Sequence, residues 1–483
     1  MNFQTELKNA FGEAVSFDPQ ILRSYDHDLG EMPRMLMRMV RHKPSAVVVS
    51  RSAEDVSTAL RVAGKYGVPV TPRAQATSGY GGSIPSRGGL MLDLSNFNRI
   101  LHIDAEKQTV DVEPGVVWEE LARALRRQGL DVRLCPTSAP SSTVGGWFAM
   151  GGVGIGSLEY GAFIENVLEI DVIGANGISH TLSGSAMEPF YQTCGALGII
   201  TRLRLACRAA DPVMPMAVWL PTAEAAVTFV EAARSKLNAY SATVQCAEYH
   251  AMQARAQGHD PDINTGFLVV LAVPAGRMDY DEAARLAASG MGRLLDEAVA
   301  GAEWKGRYYP MRIKKHGPSI LVGELFIPFD GFAAAYEDLR KALPHDQLGI
   351  EAFAVKDRRL AVLVYLLDDA KSLLYPVRMI KAMIPLRIAQ RHGGSAYATG
   401  MWFSAMAGSV YGPEKLRRVT LMKKETDPRN ILNPGKIDGP KLRFLPFINL
   451  SRCIMLAAYL AAPLASRLTY KTHAPGAAQG ASS

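Results

Sequence analysis

Between Arg73 and Ser83 the chain carries mostly small or absent side chains: Ala74, Gln75, Ala76, Thr77, Ser78, Gly79, Tyr80, Gly81 and Gly82. Side chains of this size let consecutive main-chain N–H groups crowd toward one anion, so Arg73 to Gly79, with Gly81 and Gly82 continuing the turn, are candidates for cradling a pyrophosphate without a lysine. A flexible turn between strands is the competing reading. A second small-residue stretch runs through Pro136, Thr137, Ser138, Ser142, Thr143, Gly145 and Gly146 to Gly156, and a third, Gly195 to Thr201, contains Gly198 and Ile200. Two such loops separated by strand and helix segments imply one extended ligand touched from two sides. No Gly-x-Gly-x-x-Gly stands at a first strand-to-helix turn with an acidic residue about 20 positions on, which excludes a simple Rossmann site.

The elements that must position these loops follow from apolar periodicity. Ala46-Val47-Val48-Val49 reads as a strand; Ser52 caps a helix running to Tyr66, closed by Gly67; and Val68 to Thr71 reads as a second strand, giving a β-α-β unit that delivers the chain to the first loop. Further strands are expected at Leu90 to Leu94 and Thr109 to Val112, a helix at Trp118 to Gln128, and an alternating strand at Arg202 to Leu205. From about Asp211 the texture changes to alternating helix and strand: helices near Thr222 to Ala239 and Tyr280 to Ala298, strands at Phe267 to Val273, Ile320 to Ile327 and Ala361 to Leu367, and a helix ending at Leu343. Glu414 to Lys424 is expected helical, and Asp427 to Lys436 a turn-rich stop. The organisation expected is residues 1–210, a second α+β unit over 211–410, a return segment 411–440, and an apolar then flexible tail 441–483 that turns Gly/Ala/Ser-rich after Thr472.

The 483 residues, nearly half of them apolar, suffice for two or three cored domains. The net charge of +7 is spread along the chain; it suits an acidic small substrate or an anionic membrane surface but does not by itself argue for nucleic acid, and no nucleic-acid partner is expected. Five scattered cysteines form no CxxC pair, so neither a disulfide framework nor a metal cluster is indicated. With no secretory-type apolar stretch after Met1, a cytoplasmic protein is expected.

Taken in this order, the three loops and the closing Asn433-Pro434-Gly435-Lys436 resemble the FAD-binding family of vanillyl-alcohol oxidase and p-cresol methylhydroxylase, with the glycolate oxidase FAD subunit and D-lactate dehydrogenase branch nearest. The resemblance implies an α+β fold: a two-subdomain FAD-binding domain of the p-cresol methylhydroxylase type with an α+β cap domain. It also implies an FAD-linked oxidoreductase in which Arg73 to Gly79 and Gly82 hold the pyrophosphate, Pro136 to Gly146 and Tyr160 lie along the flavin, and Gly198, Ile200 and Asn433 complete the cofactor site. Where the family has glycines after the arginine, this chain has Ala74, Gln75 and Ala76, and Gln75 narrows the cradle. The first loop has no histidine or cysteine, so non-covalent FAD is expected, with Cys135 and Cys194 as packed thiols.

In the hydroxy-acid branch a tryptophan–arginine pair precedes a Gly-Pro. Trp304 and Arg307 before Gly317-Pro318 resemble it, which makes Arg307 a candidate fork for a substrate carboxylate, with an exposed arginine in a basic run as the alternative. The branch's metal-binding histidine and glutamate motifs are absent, so a metal-free site is expected. Hydride transfer from carbon to a flavin also needs a base for the hydroxyl proton, and His392 and Tyr397 are the candidates, each against a purely structural role. The implied activity is oxidation of a small hydroxylated, carboxylated substrate, with electrons passed to a protein or quinone acceptor. Alternatives are a lipid-like or prenyl-linked alcohol as substrate, or a non-catalytic assembly subunit. Residues 444–468 are apolar but broken by Arg452 and prolines, so peripheral contact with the inner face of a membrane competes with docking on this protein or on a partner.

Overall fold

A computed structural model describes residues 2–468 except Glu31, Arg41 and Tyr309; the Gly/Ala/Ser-rich tail beyond Thr472 lies outside the described residues. The chain builds three sheets in succession. The first has four strands in the order Val15–Ser16, Ala46–Val49, Leu90–Asp93, Val70–Arg73, the last three parallel. Ala46, Val47 and Val48 are fully buried, as a central parallel strand covered on both faces requires. The helix Ala53–Tyr66 makes the crossover: the Ser52 side chain accepts from the Asp55 N–H at its start, and Gly67 at φ +64 ends it.

The second sheet runs Ile100–Asp104, Thr109–Val112, Ile199–Ala209, Val167–Ile173, Ser179–Ser183, with Leu130–Val132 paired to the far end of Ile199–Ala209. The third is an antiparallel sheet of eight strands in the order Arg293–Leu294, Val213–Leu220, Phe267–Pro274, Ser241–Cys246, Leu348–Ala354, Arg359–Asp368, Ser319–Pro328, Ser395–Ala396. One face of that sheet is covered by the helices Ala223–Lys236 and Phe329–Ala342 in the largest hydrophobic core. The chain then returns to the first sheet, where the Val70 N–H donates to Ile431 O and the Asn433 N–H to Val70 O, both at 2.7 Å.

Three expected elements differ. The helix expected over Tyr280 to Ala298 is two helices, Tyr280–Ser289 and Glu297–Gly306, interrupted by Gly290, Met291 at φ +58 and Gly292, and by the short strand Arg293–Leu294. The helix at 414–424 is longer, Ala407–Thr426, with Gly412 at φ +73 breaking its ladder near the start. The apolar tail contains a defined helix, Leu450–Ala465, capped by the Asn449 side chain. Among the described residues no helix is long and apolar enough to cross a membrane.

Candidate active site

A cavity of about 870 Å³ lies where the three sheets meet. Its inner half is walled by the first loop, Arg73 to Gly82, by Pro136 to Gly154 and by Cys194 to Ile200, so Arg73, Ala74, Gln75, Ala76, Thr77, Ser78, Gly79, Gly82, Pro136, Thr137, Ser138, Ser142, Thr143, Gly145, Gly146, Gly198 and Ile200 all line one space. The first loop has the shape expected of an anion cradle. Ala76 sits at φ +50, and among the described residues none of the main-chain N–H groups from Ala74 to Gly79 donates to a protein acceptor. A non-glycine residue in the left-handed region is uncommon and costs energy, and main-chain N–H groups left without a protein acceptor in a loop lining the cavity are available to an anion.

The loop is shaped from below by a buried clasp. The Asp28 carboxylate accepts from the N–H groups of Gly81 at 2.7 Å and Gly30 at 3.0 Å, and the Lys436 ammonium donates to the carbonyls of Gly81 at 2.8 Å and Ile84 at 2.6 Å. Burial raises the Asp28 carboxyl to about 6 and lowers the Lys436 ammonium to about 8. Lys436 thus acts on the loop from behind, through its carbonyls. Gly82 packs close to a flexible side chain: a Cβ there would meet Met150 Sδ at 2.6 Å and displace it.

Among the described residues, two polar atoms in the cavity wall have no protein partner: Ser142 Oγ and the Trp402 indole N–H, both on buried residues. Buried polar groups are ordinarily satisfied, so these, with the unengaged amides of the first loop, fit a polar, phosphate-bearing ligand such as FAD. Cys194 lines the cavity, but burial pushes its thiol up to about 11, and Cys135, at about 12, lies outside it. Both groups are therefore neutral thiols and poor nucleophiles. Gln192 and Cys194 take φ +72 and +54 beside Gly195, a second strained segment at the cavity edge.

The outer half is lined by residues of the third sheet and its surroundings, and there two side chains distant in sequence meet. Tyr80 follows the cradle, and its phenol donates to Glu324 Oε2 at 2.5 Å from the other side of the cavity. Burial pushes the Glu324 carboxyl up to about 7, with the Tyr80 hydrogen bond opposing the rise. Tyr397 lies nearby, its N–H donating to Glu324 O at 3.3 Å and its ring stacked on Phe326. Its phenol reaches Val153, accepting from the N–H at 3.1 Å, and burial holds it well above the usual phenol range. Arg312 and Lys314 line the same space, while Ile320, Val322, Met383, Leu386, Ile454 and Ala458 make its far wall apolar.

Four expected site residues lie elsewhere. His392 ends the helix Met383–Arg391 and turns outward, its Nε2 3.0 Å from Asp338 on the helix Phe329–Ala342, so it is no base for this cavity. Arg307 folds back on its own turn, 4.2 Å over the Trp304 ring and 4.3 Å over Tyr308; Arg312, five residues on in the short helical segment Pro310–His316, lines the cavity instead, its Nη2 donating to Gly306 O at 2.9 Å and to Tyr308 O. Tyr160 packs edge-on against Tyr240 and beneath Arg133, within the second core. Asn433 is fully buried behind the loops, its amide donating to Gly82 O at 2.9 Å and Cys194 O at 2.6 Å, so it ties two cofactor loops together without touching the cavity. Sequence reasoning missed Glu324, Tyr80 and Arg312. An acid in an otherwise apolar strand, Ile320 to Ile327, was the available signal for the first. Among the described residues no group of three or more His, Cys, Asp or Glu is placed to hold a metal ion.

Comparison with known proteins gives matches along most of the chain. Residues 44–183 match the family model described as FAD binding domain, and residues 214–437 the model described as FAD linked oxidases, C-terminal domain. The glycolate oxidase subunit GlcD of Bacillus subtilis is 33% identical over 167 residues, covering 33% of this chain and 36% of that protein, so the alignment spans little more than a third of that relative's length. A probable mitochondrial D-lactate dehydrogenase of Danio rerio is 24% identical over 442 residues, covering 82% and 84% of the two chains. A crystal structure of p-cresol methylhydroxylase with substrate bound superimposes with a TM-score of 0.74 at 20% identity, over 90% of this chain and 96% of that one.

Proposed function

This chain belongs to the FAD-binding oxidoreductases of the vanillyl-alcohol oxidase and p-cresol methylhydroxylase type, and from that premise we propose that it oxidises a hydroxylated, carboxylated substrate and passes the electrons to a protein or quinone acceptor. The observation that carries the reading is Glu324, a carboxyl poised at about 7 in the wall of the cavity that the cofactor loops line. A catalytic base works best with its pKa near the operating pH.

FAD, when bound, supplies a two-electron acceptor for the hydride leaving the substrate carbon. Ala74 to Gly79 offer their amides to its phosphates, and the Ser142 hydroxyl and the Trp402 indole N–H are further donors toward it. Glu324, as carboxylate, takes the proton from the substrate hydroxyl, and the Tyr80 phenol, hydrogen-bonded to the same carboxyl, holds it in place and limits how far its pKa rises. Arg312, its Nη2 held by the carbonyls of Gly306 and Tyr308, offers its positive charge to the substrate carboxylate, and the stacked ring of Tyr397 forms part of the floor. The surrounding apolar wall excludes water, which strengthens each of these interactions.

The length of that apolar wall, from Ile320 to Ala458, favours a second reading, an alcohol with a long apolar body. Anaerobic mixing of the flavin-loaded protein with 2-hydroxy acids of increasing chain length and with uncharged long-chain alcohols, followed by flavin absorbance, tests both. Bleaching by the acids supports the first reading and bleaching by the alcohols alone the second. If the protein takes up no FAD, both are wrong.

A further inference from the structure

The helix Leu450–Ala465 has two faces with different duties. Ile454, Ala457 and Ala458 form part of the cavity wall, and Leu450 and Ala458 are buried against the protein. The opposite face, with the preceding loop, leaves Phe444 79%, Phe447 76% and Leu460 69% exposed, beside Leu456, Tyr459 and Leu464. Scattered apolar residues are normal on a surface, but a contiguous patch of large ones marks a contact site. Around it stand Lys441, Arg443, Arg452 and Arg467, with no Asp or Glu anywhere from Gly439 to Leu468. Arg387 lies under the Tyr459 ring at 4.6 Å, a further cation at the edge of the patch.

A helix of 16 residues spans about 24 Å along its axis, short of the ~30 Å hydrocarbon core, so it cannot cross a bilayer, but it can lie flat in the interface. Large apolar side chains pointing out of the protein, accompanied by cations on a stretch of chain that carries no acid, match the interfacial zone of an anionic membrane: the apolar groups enter the acyl boundary and the arginines pair with headgroups. We infer that the face formed by residues 444–447 and the helix Leu450–Ala465 docks this protein on an anionic lipid surface, with the helix acting both as membrane contact and as the outer wall of the catalytic cavity. The apolar end of the cavity then opens beside the lipid phase. The docking face lies on the protein surface, and its contact with lipid does not depend on which hydroxyl compound is oxidised.

The test uses the full-length, flavin-loaded protein and vesicles of phosphatidylcholine alone or mixed in equal parts with phosphatidylglycerol. Cys453 is the exposed cysteine and lies on the helix's outer surface, whereas Cys135, Cys194, Cys207 and Cys246 are buried, so an environment-sensitive dye attaches there selectively. Flotation with the anionic vesicles, loss of binding at about 1 M salt and a blue shift of the Cys453 dye are expected. Phe447→Asp and Leu460→Asp should each weaken partitioning about tenfold or more, and Arg452→Ala about fivefold, with flavin reduction by a soluble substrate unchanged in all three. Absence of flotation, as when the patch instead receives a protein partner, overturns the proposal. So does flotation without a Cys453 blue shift, which would place the contact on another face. Because the dye is read on the unmutated chain, a variant that fails to fold does not blunt the test, and flavin reduction measured without vesicles keeps its failure separate from that of the catalytic reading.

Discussion

Replacing Glu324 with glutamine removes the titration while preserving size, and its consequences can be worked out in sign and magnitude. Burial raises the carboxyl from its ordinary 4.5 to about 7, which corresponds to about 3 kcal/mol in favour of the neutral form in the folded protein. The folded chain therefore holds this proton more tightly than the unfolded chain between those values. The resulting stabilisation is complete below about 4.5 and is lost as pH rises through 7. At pH 8 the ionised Glu324 is a liability that the protein carries for function, and Glu324→Gln should be the more stable protein there, by up to about 3 kcal/mol, with little difference near pH 4.5. In turnover the order reverses. Wild-type kcat/KM should rise along a limb near pH 7 and level off above it, whereas the glutamine variant should lose the limb and fall by about 10²- to 10⁴-fold in kcat. Denaturant midpoints at two pH values and a pH–rate profile for any substrate found in the anaerobic screen supply both readings. A limb near 7 that persists in Glu324→Gln, or full turnover in that variant, would refute the assignment of the base.

Other expectations follow from the same geometry. Tyr80→Phe removes the hydrogen bond that restrains the Glu324 pKa, so the rate limb should move above 7 while the flavin stays bound. Arg312→Ala should raise KM for a carboxylate substrate by about 10- to 100-fold with little change in kcat, whereas Arg307→Ala, which loses stacking on Trp304 and Tyr308, should leave KM unchanged; equal KM effects would remove Arg312 from its role. Asn433→Ala strips donors from two buried carbonyls, which should cost about 1–3 kcal/mol and speed flavin release on dilution, read by the return of free-flavin fluorescence.

Sequence and tertiary structure contributed different parts of this picture. The cavity-lining first loop was legible because a run of small residues between Arg73 and Gly82 is a local feature, and neighbours in sequence are neighbours in the loop. The β-α-β unit leading into it was legible for the same reason, through Ser52, Gly67 and the valines of 46–49. Reading fails where a side chain's direction depends on what packs around it. His392 and Arg307 have suitable chemistry, yet a helix end and an aromatic pair turn them away, while Arg312, five residues beyond Arg307, lines the cavity. Tyr80 and Glu324 are separated by 244 positions, and Asn433 reaches Gly82 across 351; no local pattern specifies such encounters. They arise because the third sheet is laid across the first two and the chain then returns to the first, bringing an acid from an apolar strand to the phenol beside the phosphate loop. The local sequence thus dictated what kind of ligand this protein grips, and only the assembled core decided which groups stand ready to act on a substrate beside it.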